Sequence, residues 1–423
     1  MDNPRVGLRD VDYVLVALIM GLMGAFYWAI RGTTGFGGSA GGTFAGFGWA
    51  LLWYGFSRHG LATGERRPYD TPWMVWAVTL GIAFGGMTGY GVYISWLNGR
   101  FHLSYPDLVR DVPAWTGYAM LFVCGLHWGG NTGCFMAWCA PARPVSGRAW
   151  AARIACGVLG AVGAAIFVRL LPQLFLPYYS EGVYRVAEYK TCQRALGSIR
   201  NIAPHVGLLL GFLSYEVARG DRRAIGMILT MALGFAIPFT VGGYWQTMHG
   251  SALRIDWWKN WEMTIGLGGG LAFGLAFYLF NRAGNGSPAA LGAKSRAFFE
   301  SGFPIWLPAA VVLLSAYHGG LRLHDLPRVP RGGYGVLLVS LVPFMALGLY
   351  RRWRGLEGRG DGPHWLSLPG VIALQTFLVA AGYVVSIPPK LQLANMVLLG
   401  LYTVYIALSL AAIAALRYRR RRG

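Results

Sequence analysis

The run CGLHWGGNTGCFMAWC carries the densest chemistry in this chain. Cys124, His127, Asn131, Cys134 and Trp138 recur every three or four positions, so a helix puts them on one face. Two further constellations accompany it. Tyr27, Trp28 and Arg31 close the first apolar run, and Tyr244, Trp245, Gln246 and His249 close the seventh. Trp257, Trp258 and Trp261 crowd the turn that follows. Aromatic faces with carboxamide and imidazole edges suit a sugar-like or other polar organic solute. Arg31, followed at once by GTTGFGGSAGG, suits an organic anion, because glycine-rich turns form anion-binding nests. The tryptophans at run ends also fit an interfacial aromatic belt.

A metal centre would have to use Cys124, His127, Cys134 and Cys139. On one continuous helix these ligands spread over four turns and cannot wrap a tetrahedral ion. No metal and no cofactor is therefore expected, and Gly35-x-Gly37 lacks the strand and helix of a dinucleotide loop. Ionisable groups inside apolar runs are costly and mark function or pairing. They are Arg31, His127, Arg169, His205, Glu216, His249, Glu262 and His318. Glu216 is expected to pair with Arg219 at the interface. Glu262 is expected to pair with Arg31, or with Arg169, and the three form the candidate coupling set.

The elements that must position these groups are membrane helices. The chain has 423 residues, 55% hydrophobic and 13% charged, with mean hydropathy +0.44. Soluble domains are about 25% charged. Span-length apolar runs fall near 11–30, 43–57, 73–98, 114–140, 153–178, 199–218, 224–248, 261–281, 303–321, 333–350, 368–388 and 391–416. The alternation of a membrane barrel is absent. The expected fold is an all-α integral membrane protein of about twelve transmembrane helices, its first span retained. Gly 62 is about twice the usual share. The clusters at 32–42, 85–91, 127–133 and 265–274 predict close helix packing. The alternative is interrupted helices at a binding site, with 32–42 the best candidate.

A net charge of +20 does not make this a nucleic-acid-binding chain, since cytoplasmic loops of membrane proteins collect Lys and Arg. With the N-terminus inside, twenty-three basic residues fall in inner loops and thirteen in outer ones. Both termini are thus expected in the cytoplasm, and anionic lipid attracts the RYRRRRG tail. The Arg bias, with only Lys190, Lys259, Lys294 and Lys390, is associated with high-GC bacterial genomes and a bacterial inner membrane. Five cysteines form no disulfide framework.

Aligning Arg58 with Arg282 makes Gly42/Gly266, Gly46/Gly270, Leu51/Leu275, Tyr54/Tyr278 and Phe56/Phe280 coincide, with Trp49/Phe273 and Trp53/Phe277 similar. Six spans separate the copies, which predicts a parallel 6+6 repeat with halves 1–221 and 222–423. In this topology the chain resembles the major facilitator transporters. Its loop SRHGLATGERRP shares Gly64, Arg66 and Arg67 with that family's loop pattern and lacks the preceding acidic residue. The resemblance implies that spans 1, 4 and 7 line a central cavity. The expected function is ion-coupled transport of a small polar organic solute, sugar-like or an organic anion. The alternatives are a membrane-embedded transferase acting on a lipid or glycan, with His127 or Glu262 as base, and a structural membrane protein.

Overall fold

The computed structural model describes residues 10–33, 38–58, 67–71, 73–141, 145–253 and 255–282, with a few positions between 400 and 415. Bulky apolar runs broken by glycine and closed by turn residues become helices in nearly all of it. They are α1 (Asp10–Thr33), α2 (Gly38–Arg58), α3 (Trp73–Gly85), α4 (Ile94–Leu97), α5 (Ala114–Cys139), α6 (Gly147–Leu170), α7 (Lys190–Arg219), α8 (Arg222–Gly243) and α9 (Trp257–Phe280). A short antiparallel hairpin, β1 (Arg100–His102) and β2 (Val109–Asp111), lies between α4 and α5. Five helices are long and apolar enough to cross a membrane: α1, α6, α7, α8 with its 3₁₀ extension to Met248, and α9.

The first eight expected spans fall on helices, with three corrections. Span 6 begins at Lys190, well before 199. Span 3 does not run through 73–98. It stops at Gly85, turns through 86–90, and resumes as single turns from Gly91 to Leu97. Span 5 starts earlier, at Gly147 behind the Ser146 cap, and ends at Leu170, because Pro172 cannot continue it. Spans 9 to 12, with His318, lie outside the described residues apart from scattered positions of the last.

Local sequence sets the helix ends. Gly220, at φ 64°, closes α7, and the Asp221 carboxylate accepts from Ala224 N at 3.0 Å to open α8. Asp256 caps α9 in the same way through Lys259 N at 3.0 Å. Arg67 closes α2 from outside it. Its buried guanidinium donates to the Phe56 and Ser57 carbonyls at 2.7 and 2.9 Å. Those carbonyls have no partner within the helix, and a cation there also meets the negative end of its dipole.

Glycines form the seams between antiparallel helices. A Cβ on Gly24 or Gly270 would land on the carbonyl oxygen of Gly266 or Met20, so α1 and α9 approach backbone to backbone. Gly125, Gly129 and Gly133 bring α5 equally close to α8, and Gly160, Gly207 and Gly211 join α6 to α7. Lipid gives helices no hydrophobic reason to associate, so close dispersion contact has to hold them. The clusters at 127–133 and 265–274 are thus packing seams. The α1–α9 seam joins the first and eighth expected spans. It crosses the expected boundary at 221/222, as does the α5–α8 seam.

An aromatic column fills the centre. Trp28 packs on Trp128 (4.8 Å between centroids), Trp49 (5.9 Å), Phe235 and Phe239 (both 6.0 Å). Trp49 meets Phe273, and Trp53 meets Phe277, each at 5.1 Å. Toward the end bearing the β-hairpin, Phe239 meets Tyr90, and Tyr90 meets Trp261, both at 5.1 Å. At the opposite end Tyr69 N donates to Asn281 Oδ1 at 3.0 Å, and the Arg223 guanidinium lies 4.8 Å from the Tyr69 ring. Burial pushes the Tyr69 phenol above its ordinary range, with Arg223 acting in the other direction.

Candidate functional site

Thirteen residues of α3 rise about 20 Å, short of a bilayer core of about 30 Å. The helix is therefore too short to cross one by itself, and Thr88 sits in the turn that follows. Its hydroxyl donates to Gly85 O at 2.8 Å. A hydroxyl has one proton, so its lone pairs take the other two contacts. They accept from the Trp128 indole at 3.1 Å and from His127 Nε2 at 3.1 Å. With the hydroxyl proton on Gly85 O, His127 donates from Nε2 and its Nδ1 is a bare acceptor.

One helical turn further along α5, Asn131 donates through Nδ2 to His205 O at 3.1 Å. His205 donates from Nδ1 to Asn201 O at 2.8 Å, and its ring lies tilted against Phe84 at 4.3 Å. The His127 and His205 rings lie 5.5 Å apart. His127 and Asn131 are fully buried, and neither His127 Nδ1 nor Asn131 Oδ1 has a hydrogen-bond partner among the described residues. Buried polar atoms are nearly always satisfied, so two unspent acceptors on one face of one helix mark this place. The cluster joins α5, α7 and the break after α3.

The other sequence-predicted residues divide. Trp28 belongs with this cluster through Trp128. Tyr27 is buried beside it, edge-on to Trp49 at 6.0 Å. Arg31 lies in the last turn of α1, and its side chain is outside the described residues. Tyr244, Trp245, Gln246 and His249 form a second group at the hairpin end, against the start of α9. Trp245 stacks on Trp257 at 5.7 Å and donates to Thr264 Oγ1 at 3.0 Å. Gln246 donates to Trp257 O at 3.1 Å and accepts from His249 Nε2 at 3.2 Å. Tyr244 is exposed. The bonds of this group serve the turn into α9.

The expected Glu216–Arg219 pair is corrected, and Glu262, whose expected partner Arg31 has its side chain outside the described residues, has a partner nearer in the chain. Glu262 pairs with Lys259 at 2.6 Å, one turn back on α9, and Lys259 also donates to Ala29 O at 3.3 Å. Arg169 is exposed in the last turn of α6. Glu216 pairs with Arg153 of α6, Nε to Oε1 at 2.6 Å, and both side chains are buried. Arg219 instead lies over Tyr215 at 5.7 Å. The i,i+3 spacing of Lys259 and Glu262 was available in the sequence; the Arg153–Glu216 pair and Thr88 carried no local signal.

Among the described residues no three His, Cys, Asp or Glu side chains gather to hold a metal. Fold and site together define a glycine-seamed helical bundle, five of its helices able to span a membrane, with a polar cluster inside. No protein family, no curated protein and no solved structure matches the chain.

Proposed function

We propose that this chain is a multi-pass bacterial inner-membrane transporter of a small polar solute, ion-coupled, with about twelve spans and both termini in the cytoplasm. The observation that carries the reading is the pair of unspent acceptors, His127 Nδ1 and Asn131 Oδ1, buried where α3 breaks. Broken helices at membrane depth are where transporters hold solutes. Acceptors ask for a donor, so the solute carries hydroxyl or ammonium hydrogens, as a sugar-like molecule does. This favours the sugar-like arm of the expectation over the organic anion. Buried among rings, the cluster is an occluded site, reached when the bundle opens at one end.

A parallel 6+6 repeat belongs to this reading. The ring contacts between the aligned pairs Trp49/Phe273 and Trp53/Phe277 favour it. The α1–α9 seam weighs against it, since α2 and α8, the pair it would make equivalent, form no such seam. Superposing residues 1–221 on 222–423 in an experimental map decides it.

The functional test is entrance counterflow in proteoliposomes with a panel of labelled sugars, polyols, amines and organic anions. A hydroxyl- or ammonium-bearing member should exchange. His127→Ala and Asn131→Leu should each abolish that exchange. Exchange of no panel member, or unchanged exchange in both variants, sinks the reading.

A further inference from the structure

The Arg153–Glu216 pair has the geometry of a site that changes charge. It lies where the end of α5, the first turns of α6 and the last turn of α7 meet, at the end of the bundle opposite the hairpin. Only one oxygen of Glu216 is used. Oε1 accepts from Arg153 Nε at 2.6 Å and from the Trp138 indole at 3.2 Å, while Oε2 is buried without a hydrogen-bond partner among the described residues. Arg153 Nη1 is likewise unpartnered. Arginine–carboxylate pairs frequently close side-on with two parallel bonds, and this one does not.

The arginine also has a second set of partners. Its guanidinium lies 4.5 Å from the Trp150 ring, 5.1 Å from Trp138 and 5.5 Å from Tyr215. Three ring faces attract a desolvated cation whether or not the carboxylate is charged. Neutralising a buried carboxylate normally strands its partner. Here the cation would remain caged.

We propose that Glu216 is a proton-binding site, taking a proton on Oε2 from water at this end of the bundle while Arg153 stays charged within its aromatic cage. The balance is simple: the pair passes from net zero to net +1, and no bond other than O–H forms. Gly220, four residues on and about 6 Å along the axis, is exposed, so the path to water is about one helical turn. The neighbouring groups leave Glu216 as the site. From α6 it is faced by the Arg153 guanidinium. From α5 come Trp138 and the nearby Cys134 thiol. Its own helix adds Tyr215, which donates to Ala149 O at 2.8 Å, and Arg219 on that ring. From α8 comes the apolar Ile228, packed in one cluster with Cys134. This rests on the transporter reading only for its purpose, since the proton would then be the coupling ion.

The test needs no solute. The full-length protein, reconstituted in lipid, is titrated between about pH 4 and pH 9 under infrared difference spectroscopy, the range in which carboxylates and histidines titrate. A protonated-carboxyl carbonyl band should grow as pH falls. It should vanish in Glu216→Gln and persist in Glu181→Gln and Glu262→Gln. Trp138→Phe keeps the ion pair and removes one bond to Oε1, so it should shift the band's frequency or midpoint; this variant carries the test if Glu216→Gln does not fold. A spectrum unchanged by Glu216→Gln at every pH, or by Trp138→Phe where that variant stands in, overturns the proposal. That result would leave the solute reading standing. Failure of counterflow with an intact Glu216 band would overturn the solute reading and keep the proton site.

Discussion

The hydroxyl of Thr88 has one proton and two lone pairs, and the buried cluster uses all three. Removing it leaves the Trp128 indole N–H and His127 Nε2–H without their acceptor inside the bundle. Each stranded buried group costs about 1–3 kcal/mol. Thr88→Val is nearly isosteric, so its effect reports hydrogen bonding rather than volume. It should lower the unfolding free energy in detergent by roughly that amount per group, and Thr88→Ser should restore most of it. Equal stability of Thr88→Val and wild type by denaturant titration would show that Thr88 does not organise the cluster.

Helices here are held by what their glycines lack. At Gly270 an added methyl would meet the Met20 carbonyl, backbone that cannot swing aside. Gly270→Ala must therefore push α1 and α9 apart, at a cost of about 1–3 kcal/mol or more. Gly163 lies inside α6, and a Cβ there meets nothing within 4 Å. Gly163→Ala gains helix propensity without a clash and should stabilise by about 0.5–1 kcal/mol. The opposite signs, read as thermal shifts in one detergent, separate seam from lipid-facing glycines. A loss of stability at Gly163 would mean that another surface packs on α6.

At the scale of the molecule, α6 shows which solvent the fold requires. Ile154, Val158, Leu159, Val162, Ile166 and Leu170 are all exposed along it. Such a stripe would drive aggregation in water and is at home in hydrocarbon. The proposed orientation rests on the charge bias of the loops. It would put the β-hairpin outside and the tail inside. Val109→Cys, on the exposed strand β2, should react with an impermeant thiol reagent in intact cells, against a parent whose own five cysteines give the background. Gly423→Cys should react only after lysis. The reverse pattern would invert the topology.

The sequence by itself determined that the chain is helical and apolar enough for a membrane. Hydrophobic run length and glycine spacing are local quantities that a helix converts directly into a span and a packing face. It also placed His127 and Asn131 on one face, because a spacing of four survives folding unchanged. The partner of a buried group is not a local quantity. Glu216 had Arg219 three residues away, yet packing of α6 against α7 delivered Arg153, whose guanidinium lies among the rings of Trp138, Trp150 and Tyr215. The break after Gly85 had a local signal, since the glycines at 85, 86, 89 and 91 weaken a helix. Its partners had none: Thr88 bonds to α5, and Tyr93 and Gly89 bond to Ser198 of α7. Only the tertiary structure decides such contacts, because residues distant in the chain must first be brought together before their hydrogen bonds can compete with those of the helix.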